Sequence, residues 1–241
     1  ENVIVGYKSG PSVFNAGSLT NCVFMGYNAG QHSSTPSNCV AIGTDAGFLL
    51  TTGGQNTFLG RRAGNSGITY ITGLYNTAVG HFACSNGLGS NNTTVGNGAG
   101  NSSSPLDLTG TSQIDNRVII GNNDVTNAYI NVAWTVTSDV RDKTNIEQVT
   151  HGLEFLSSFS PIKFQYTNNR EENAPHGFVH YGYSAQDVLA AAGANPVIVD
   201  TEQDEKLKMK ETQLIPILHN AILELKEENA ALRARLDAAG I

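Results

Sequence analysis

Along the first 133 residues short apolar runs recur in a fixed polar and glycine frame, and along the last 30 the apolar positions fall three and four residues apart. The frame in the first part is Asn, three or four mostly small or apolar residues, Gly, two variable residues, then Ala-Gly. It reads NVIVGYKSG from Asn2, NCVFMGYNAG from Asn21, NCVAIGTDAG from Asn38, NTFLGRRAG from Asn56, NTAVGHFAC from Asn76, NTTVGNGAG from Asn92 and a decayed NRVIIGNND from Asn116. The central glycines are Gly6, Gly26, Gly43, Gly60, Gly80, Gly96 and Gly121. Each copy offers four or five residues rich in Val, Ile, Phe and Thr, closed by glycines able to take positive φ, which predicts a short strand and a tight turn. Such a strand cannot bury its own apolar face. Copies stacked one on another build a continuous core, so the pattern predicts a β-solenoid rung or the strand of a β-prism. The segments between copies vary, as in QHSSTPS after Gly30 and GITYITGLY before Asn76, and variable inserts on a regular scaffold are where binding residues collect. Arg61, Arg62 and His81 fall at the variable turn positions and read as solvated surface.

From about Glu211 the period becomes helical. Ile215, Leu218, Ile222, Leu225, Asn229, Leu232, Leu236 and Ala239 occupy alternating a and d positions, the pattern of a coiled-coil seam. Asn229 at an a position is the polar residue that fixes register and strand number, and Glu228 at g pairs with Arg233 at the next e across a parallel interface. Pro216 marks the first turn or a kink. Between the two patterns lies AWTVTSDVRDKTNIEQV, an alternating, strand-like stretch that runs into a cluster of charge.

Composition narrows the function. The formal net charge is −7 and there is no Lys/Arg-rich run, so the footprint of a nucleic-acid-binding protein is missing. No run approaches the roughly 18 apolar residues of a membrane span, so membrane insertion is not expected. Of the three cysteines, Cys22 and Cys39 follow an Asn and precede an apolar run in two successive repeats, and read as small buried side chains, with a disulfide between adjacent rungs as the alternative. His176 and His180 are four apart, but Gly177, Phe178 and Val179 between them read as strand, so His180 is expected to make a polar contact within the fold. No metal-ligand spacing appears and no cofactor is expected. The acids of residues 1–137 are few and scattered (Glu1, Asp45, Asp107, Asp115 and Asp124), which leaves no carboxylate pair for glycan hydrolysis.

The charged junction carries the most specific signal. Ser138-Asp139-Val140-Arg141-Asp142-Lys143-Thr144-Asn145-Ile146 resembles the signature that opens the intramolecular chaperone domain of phage endosialidases, tailspikes and L-shaped tail fibres. Ser160-Pro161-Ile162-Lys163-Phe164-Gln165-Tyr166 and His180-Tyr181-Gly182-Tyr183-Ser184-Ala185-Gln186-Asp187-Val188 resemble two further blocks of that family, in the same order. The repeat, in turn, resembles those in the heads of trimeric autotransporter adhesins and in some phage tail-fibre shafts.

These resemblances imply a mainly β N-terminal region, residues 1–137, forming a trimeric β-solenoid or β-prism from Asn-x(3-4)-Gly-x-x-Ala-Gly repeats. An α+β chaperone domain comes next over 138–212, and a parallel trimeric coiled coil over 213–241. They imply a single-turnover, self-cleaving serine endopeptidase of Ser-Lys type that cuts between Thr137 and Ser138, with Ser138 as nucleophile, Lys143 as general base and Asp139 orienting the lysine or positioning water. Ser138 could attack its own preceding carbonyl in an N→O acyl shift, or a neighbouring protomer's Ser138 could attack it. Arg141 and Lys143, alternating on an extended strand, would share a face and repel one another, one route to a neutral lysine. The partners implied are two further copies of the chain and a host cell-surface receptor. The place is the virion tail, after folding in the host cytoplasm and release of the chaperone fragment. A bacterial trimeric surface adhesin and the C-terminal stalk of a glycan-degrading tailspike are the alternatives.

Overall fold

A computed structural model describes residues 1–11, 19–65, 70–85, 89–108, 114–167, 169–193 and 196–240, in two compact units, Glu1–Thr126 and Asn127–Ile241. Residues 67–69, the start of the GITYITGLY insert, lie outside the described residues.

In the first unit each repeat contributes one three-residue strand: β1 (Val3–Val5), β2 (Val23–Met25), β3 (Val40–Ile42), β4 (Thr57–Leu59), β5 (Thr77–Val79), β6 (Thr93–Val95) and β7 (Val118–Ile120). They form one parallel sheet in sequence order, each strand in register with the next, so the unit is a parallel β-solenoid. In β2 to β7 the middle residue points inward and stacks as Phe24, Ala41, Phe58, Ala78, Thr94 and Ile119, all buried, whereas Ile4 of β1 is exposed. Large and small residues alternate for the first four positions, and the space a phenylalanine needs comes from the Ala-Gly that ends its own rung. A Cβ on Gly30 would lie 2.7 Å from the Phe24 ring. Ala29, Ala46, Ala63, Ala83 and Ala99 form a second buried column.

The repeating asparagine occupies two positions rather than one. Counted back from the central glycine, Asn2, Asn56, Asn76 and Asn92 stand four residues before it, whereas Asn21, Asn38 and Asn116 stand five before it. Four before, the amide is a buried ladder: Asn56 Oδ1 accepts from Asn76 N–H at 2.8 Å, and Asn76 Oδ1 from Asn92 N–H at 3.0 Å. The Asn56 and Asn76 Nδ2 groups donate to the carbonyls of Gly73 and Gly89 at 2.9 and 2.8 Å. Backbone polar groups of the connecting loops are thereby satisfied inside a narrow core. Cys22 and Cys39 take this place in rungs two and three, donating to carbonyls instead. Both are free and buried, as is Cys84, so no disulfide links the rungs. Five before the glycine, Asn21, Asn38, Asn91 and Asn116 adopt left-handed φ of 55 to 62°, which asparagine tolerates.

The second unit is α+β. A five-residue helix α1 (Leu153–Ser157) precedes the antiparallel hairpin β8 (Ile162–Tyr166) and β9 (His176–Gly182), then α2 (Ala185–Ala192), the short antiparallel pair β10 (Val199–Asp200) and β11 (Lys208–Met209), and the 26-residue helix α3 (Leu214–Ala239). Its core gathers Phe155, Phe159, Val188, Ile198, Val199, Leu214 and Ile217. His180 packs on Phe164 and Tyr166 with ring centroids 5.7 and 5.2 Å apart.

Helix α3 carries two apolar faces. Leu214, Ile217 and Ala221 are buried against the unit's own core. The seam of Ile215, Leu218, Ile222, Leu225, Leu232 and Leu236 is exposed, Ile215 by 64% and Ile222 by 63%. The helix is compatible with a coiled coil along that seam. Pro216 sits in its first turn, where no intrahelical donor is lost. In this single chain Asn229 Nδ2 donates to Leu225 O at 2.8 Å.

Candidate active site at the junction

From Asn127 to Thr137 every residue is exposed and none belongs to a strand; Trp134 is 76% and Val136 80% exposed. The alternation of Ile130, Val132, Trp134 and Val136 reads as strand, but a strand exists only against a neighbour, and the described residues of this unit supply none.

At Asp139 the chain turns. Its carboxylate accepts from the Arg141 N–H at 2.9 Å and starts one turn of 3₁₀ helix over Val140–Asp142, which Lys143 N–H closes onto Val140 O at 3.2 Å. The same carboxylate receives Arg141 Nε at 3.1 Å and Nη2 at 2.5 Å. This arginine holds the Asp139 carboxyl below the usual carboxylate range, and the carboxylate raises the guanidinium in return. The turn folds Lys143 back so that its Nζ donates to Ser138 Oγ at 2.8 Å.

Two expectations change here. Arg141 and Lys143 do not alternate on an extended strand, because Asp139 caps a turn between them. The positive charge of Arg141 is also paired with the Asp139 carboxylate rather than standing alone beside Lys143. Asp139 spends its oxygens on the turn that presents Lys143 to Ser138, while Thr137 precedes the pair in the exposed segment.

Beyond the turn, the chain is tied to α3. Asn220 Nδ2 donates to His151 O at 3.0 Å and to Val149 O at 3.3 Å. Glu224 Oε2 accepts from Leu153 N–H at 2.6 Å, capping a helix that has no capping side chain of its own. A Cβ at Gly152 would meet the Glu224 carboxylate where it now lies, so a larger residue there would have to displace the side chain that caps α1. Neither Asn220 nor Glu224 was legible as functional, because both lie off the a/d seam and pass for the solvated face; a glycine placed just before an apolar helical run was the available sign. Among the described residues no cluster of three or more His, Cys, Asp or Glu could hold a metal ion.

Residues 138–197 match the family described as the chaperone of endosialidase. The match covers about a quarter of the chain and is confined to the second unit. The match opens on Ser138, whose hydroxyl meets Lys143, and takes in both later sequence blocks, ending just before β10. No curated protein and no solved structure matches the chain. The chaperone-of-endosialidase match supports an intramolecular chaperone role in a phage tail fibre or tailspike, and self-cleaving peptidase activity in general.

Proposed function

We propose that the chain belongs to a homotrimeric phage tail fibre or appendage. Its chaperone-of-endosialidase domain drives trimerisation and folding of the β-solenoid and is then released by cleavage between Thr137 and Ser138. The contact of Lys143 Nζ with Ser138 Oγ at 2.8 Å carries the peptidase part of this reading.

In the reaction, Ser138 Oγ attacks the Thr137 carbonyl carbon and its proton passes to the neutral Lys143 amine. The tetrahedral adduct collapses with rupture of the Thr137 C–N bond, the nitrogen taking the proton back, to leave an ester and a free α-amine. Water then hydrolyses the ester to the Thr137 carboxylate and the Ser138 hydroxyl. A neighbouring protomer's Ser138 can make the same attack. A serine hydroxyl needs an adjacent base, and a lysine serves only when neutral, a form that burial favours. Ser138 and Lys143 are exposed in the single chain, so the surface that covers them in the trimer supplies that burial and ties cleavage to completed assembly.

Assembly is supported by the apolar surface that one chain leaves open. The outward residues of the rungs include Val5, Met25, Leu59, Val95 and Ile120, all exposed, although parallel sheets ordinarily have both faces covered. The α3 seam and the stretch from Tyr129 to Val136 are exposed in the same way. Trimerisation through C-terminal helices would set register before the slow, non-local pairing of β-repeats, and removal of the chaperone would then lock the fibre kinetically.

The test compares the wild-type chain with Ser138→Ala by intact mass, N-terminal sequencing and native mass. A wild-type fragment beginning at Ser138, with the variant an uncut trimer, is expected. Cleavage persisting in the variant would overturn the assignment of the nucleophile, and monomers in both would overturn the assembly.

A further inference from the structure

The variable positions after the central glycines, where sequence alone reads Arg61, Arg62 and His81 as solvated surface, form organised ladders along the solenoid. At the second position Asn28, Asp45, Arg62 and Phe82 lie on four successive rungs, each at φ of 56 or 57°. Asn28 Nδ2 donates to Asp45 Oδ1 at 3.0 Å, Arg62 Nε meets Asp45 Oδ2 at 3.4 Å, and the Arg62 guanidinium lies over the Phe82 ring at 5.3 Å. Asp45 is largely buried, its side chain 17% exposed. Together with Phe48, Asn65 and Ser85 these residues line a recess of about 390 Å³, and His32 meets Phe48 edge-on. Arg62 and Phe82 are not residues that take left-handed φ readily, and at the equivalent place in the next rung the chain uses Gly98.

We propose that this recess binds a sugar ring of a surface glycan. Three features select that class. Asp45 and Arg62 balance each other's charge, so the recess has no net preference for an anion or a cation. Donors and acceptors stand side by side: the terminal nitrogens of Arg62 have no hydrogen-bond partner among the described residues, and Asn28 Oδ1 is buried with none. Hydroxyl groups, which donate and accept at once, fit such a mixture. Phe48 supplies a flat apolar wall that the C–H face of a pyranose packs against, while the Phe82 ring lies under the Arg61 and Arg62 guanidiniums, and the volume suits one or two sugar rings. Because rungs are spaced about 4.8 Å apart, a ring spans two of them and a chain of rings can follow the ladder. The inference rests on the reading of a host-attaching fibre only for the source of the glycan; the site itself lies wholly within the solenoid.

The test uses the full chain on a printed array of bacterial surface glycans, with saturation-transfer NMR against methyl glucoside, methyl galactoside, methyl mannoside and methyl N-acetylglucosaminide. Wild type is expected to bind at least one glycan. Arg62→Met, Asp45→Asn and Phe48→Ala should each weaken it at least tenfold while circular-dichroism melting stays cooperative. Silence of wild type on both assays, binding unchanged in all three variants, or displacement of the glycan by millimolar inorganic sulfate would each overturn the proposal. The Ser138→Ala chain is expected to bind equally well. A wild-type chain that cleaves but binds no glycan therefore refutes this site alone, and a wild-type chain that binds but does not cleave refutes the peptidase reading alone.

Discussion

Gly60 holds φ at +132°, and a Cβ placed on it would stand 2.6 Å from the carbonyl oxygen of Gly80 on the next rung. Two costs therefore meet at one residue: a backbone region closed to L side chains, and a clash with main chain that cannot rotate away. Gly60→Ala is expected to destabilise the solenoid by about 3 kcal/mol or more, read from the thermal midpoint of the first unit. Cysteines report on the same core. Burial pushes the Cys39 thiol up to about 11 and the Cys84 thiol up to about 12 from an ordinary 9.0. The folded chain holds these protons more tightly than the unfolded one, so their contribution to stability is complete below pH 9.0 and is lost as pH rises through 11 to 12. At about pH 8 a thiol reagent should leave Cys39 and Cys84 unmodified in the folded chain and react with all three cysteines in denaturant; rapid labelling of Cys84 without denaturant would refute its burial. Glycine and the rung spacing were legible residue by residue, because a conformational requirement leaves one residue type. The asparagine was not, since two structural roles one position apart, a left-handed turn and a buried amide bridge, select the same side chain.

Phe58 shows how a rung is an element only in company. Its ring fills space that Gly64 leaves vacant and lies in register with Ala41 and Ala78 on either side. Neither neighbour can expand into the gap, so Phe58→Ala is expected to cost about 3–5 kcal/mol, measured by denaturant unfolding, and to loosen the two adjacent rungs in hydrogen exchange. Helix α3 behaves in the opposite way. Its a/d seam was legible from spacing alone, but the face of Leu214, Ile217 and Ala221 that anchors it to its own domain was not, because the two stripes are adjacent and a heptad count finds only the longer. The hydrogen bonds that Asn220 donates and Glu224 accepts belong to that hidden face. Glu224→Ala removes the cap of α1 and leaves the Leu153 N–H without a partner. About 1 kcal/mol of stability should be lost from the second unit, with the helical content of α3 unchanged by circular dichroism. At the junction, the motif was legible as chemistry and not as geometry: a turn made by Asp139 over Val140–Asp142 stands where alternation suggests an extended strand.

For the whole molecule the decisive question is whether the Ser138–Lys143 pair is sufficient or needs the assembly around it. The pair is formed within one chain, by a turn that draws only on Asp139, Arg141 and the local backbone. If hydrogen-bond geometry alone set the rate, a monomer would cut itself. General-base catalysis needs an amine that can accept the serine proton, and a site closed off from water favours that form. Cleavage should therefore follow the oligomer. Ile222→Asp with Leu225→Asp places charge on the exposed seam of α3 and leaves the buried Leu214, Ile217 and Ala221 face untouched, so the second unit keeps its own core. The expected outcome is a folded monomer by analytical ultracentrifugation in which Ser138 stays uncut, while wild type is a trimer whose cleavage slows at low protomer concentration. Adding an unrelated trimerising helix after residue 241 of the double variant should restore cutting. A monomer that cleaves at the wild-type rate would show that the base is activated within the single chain, and the link between assembly and release would have to be abandoned.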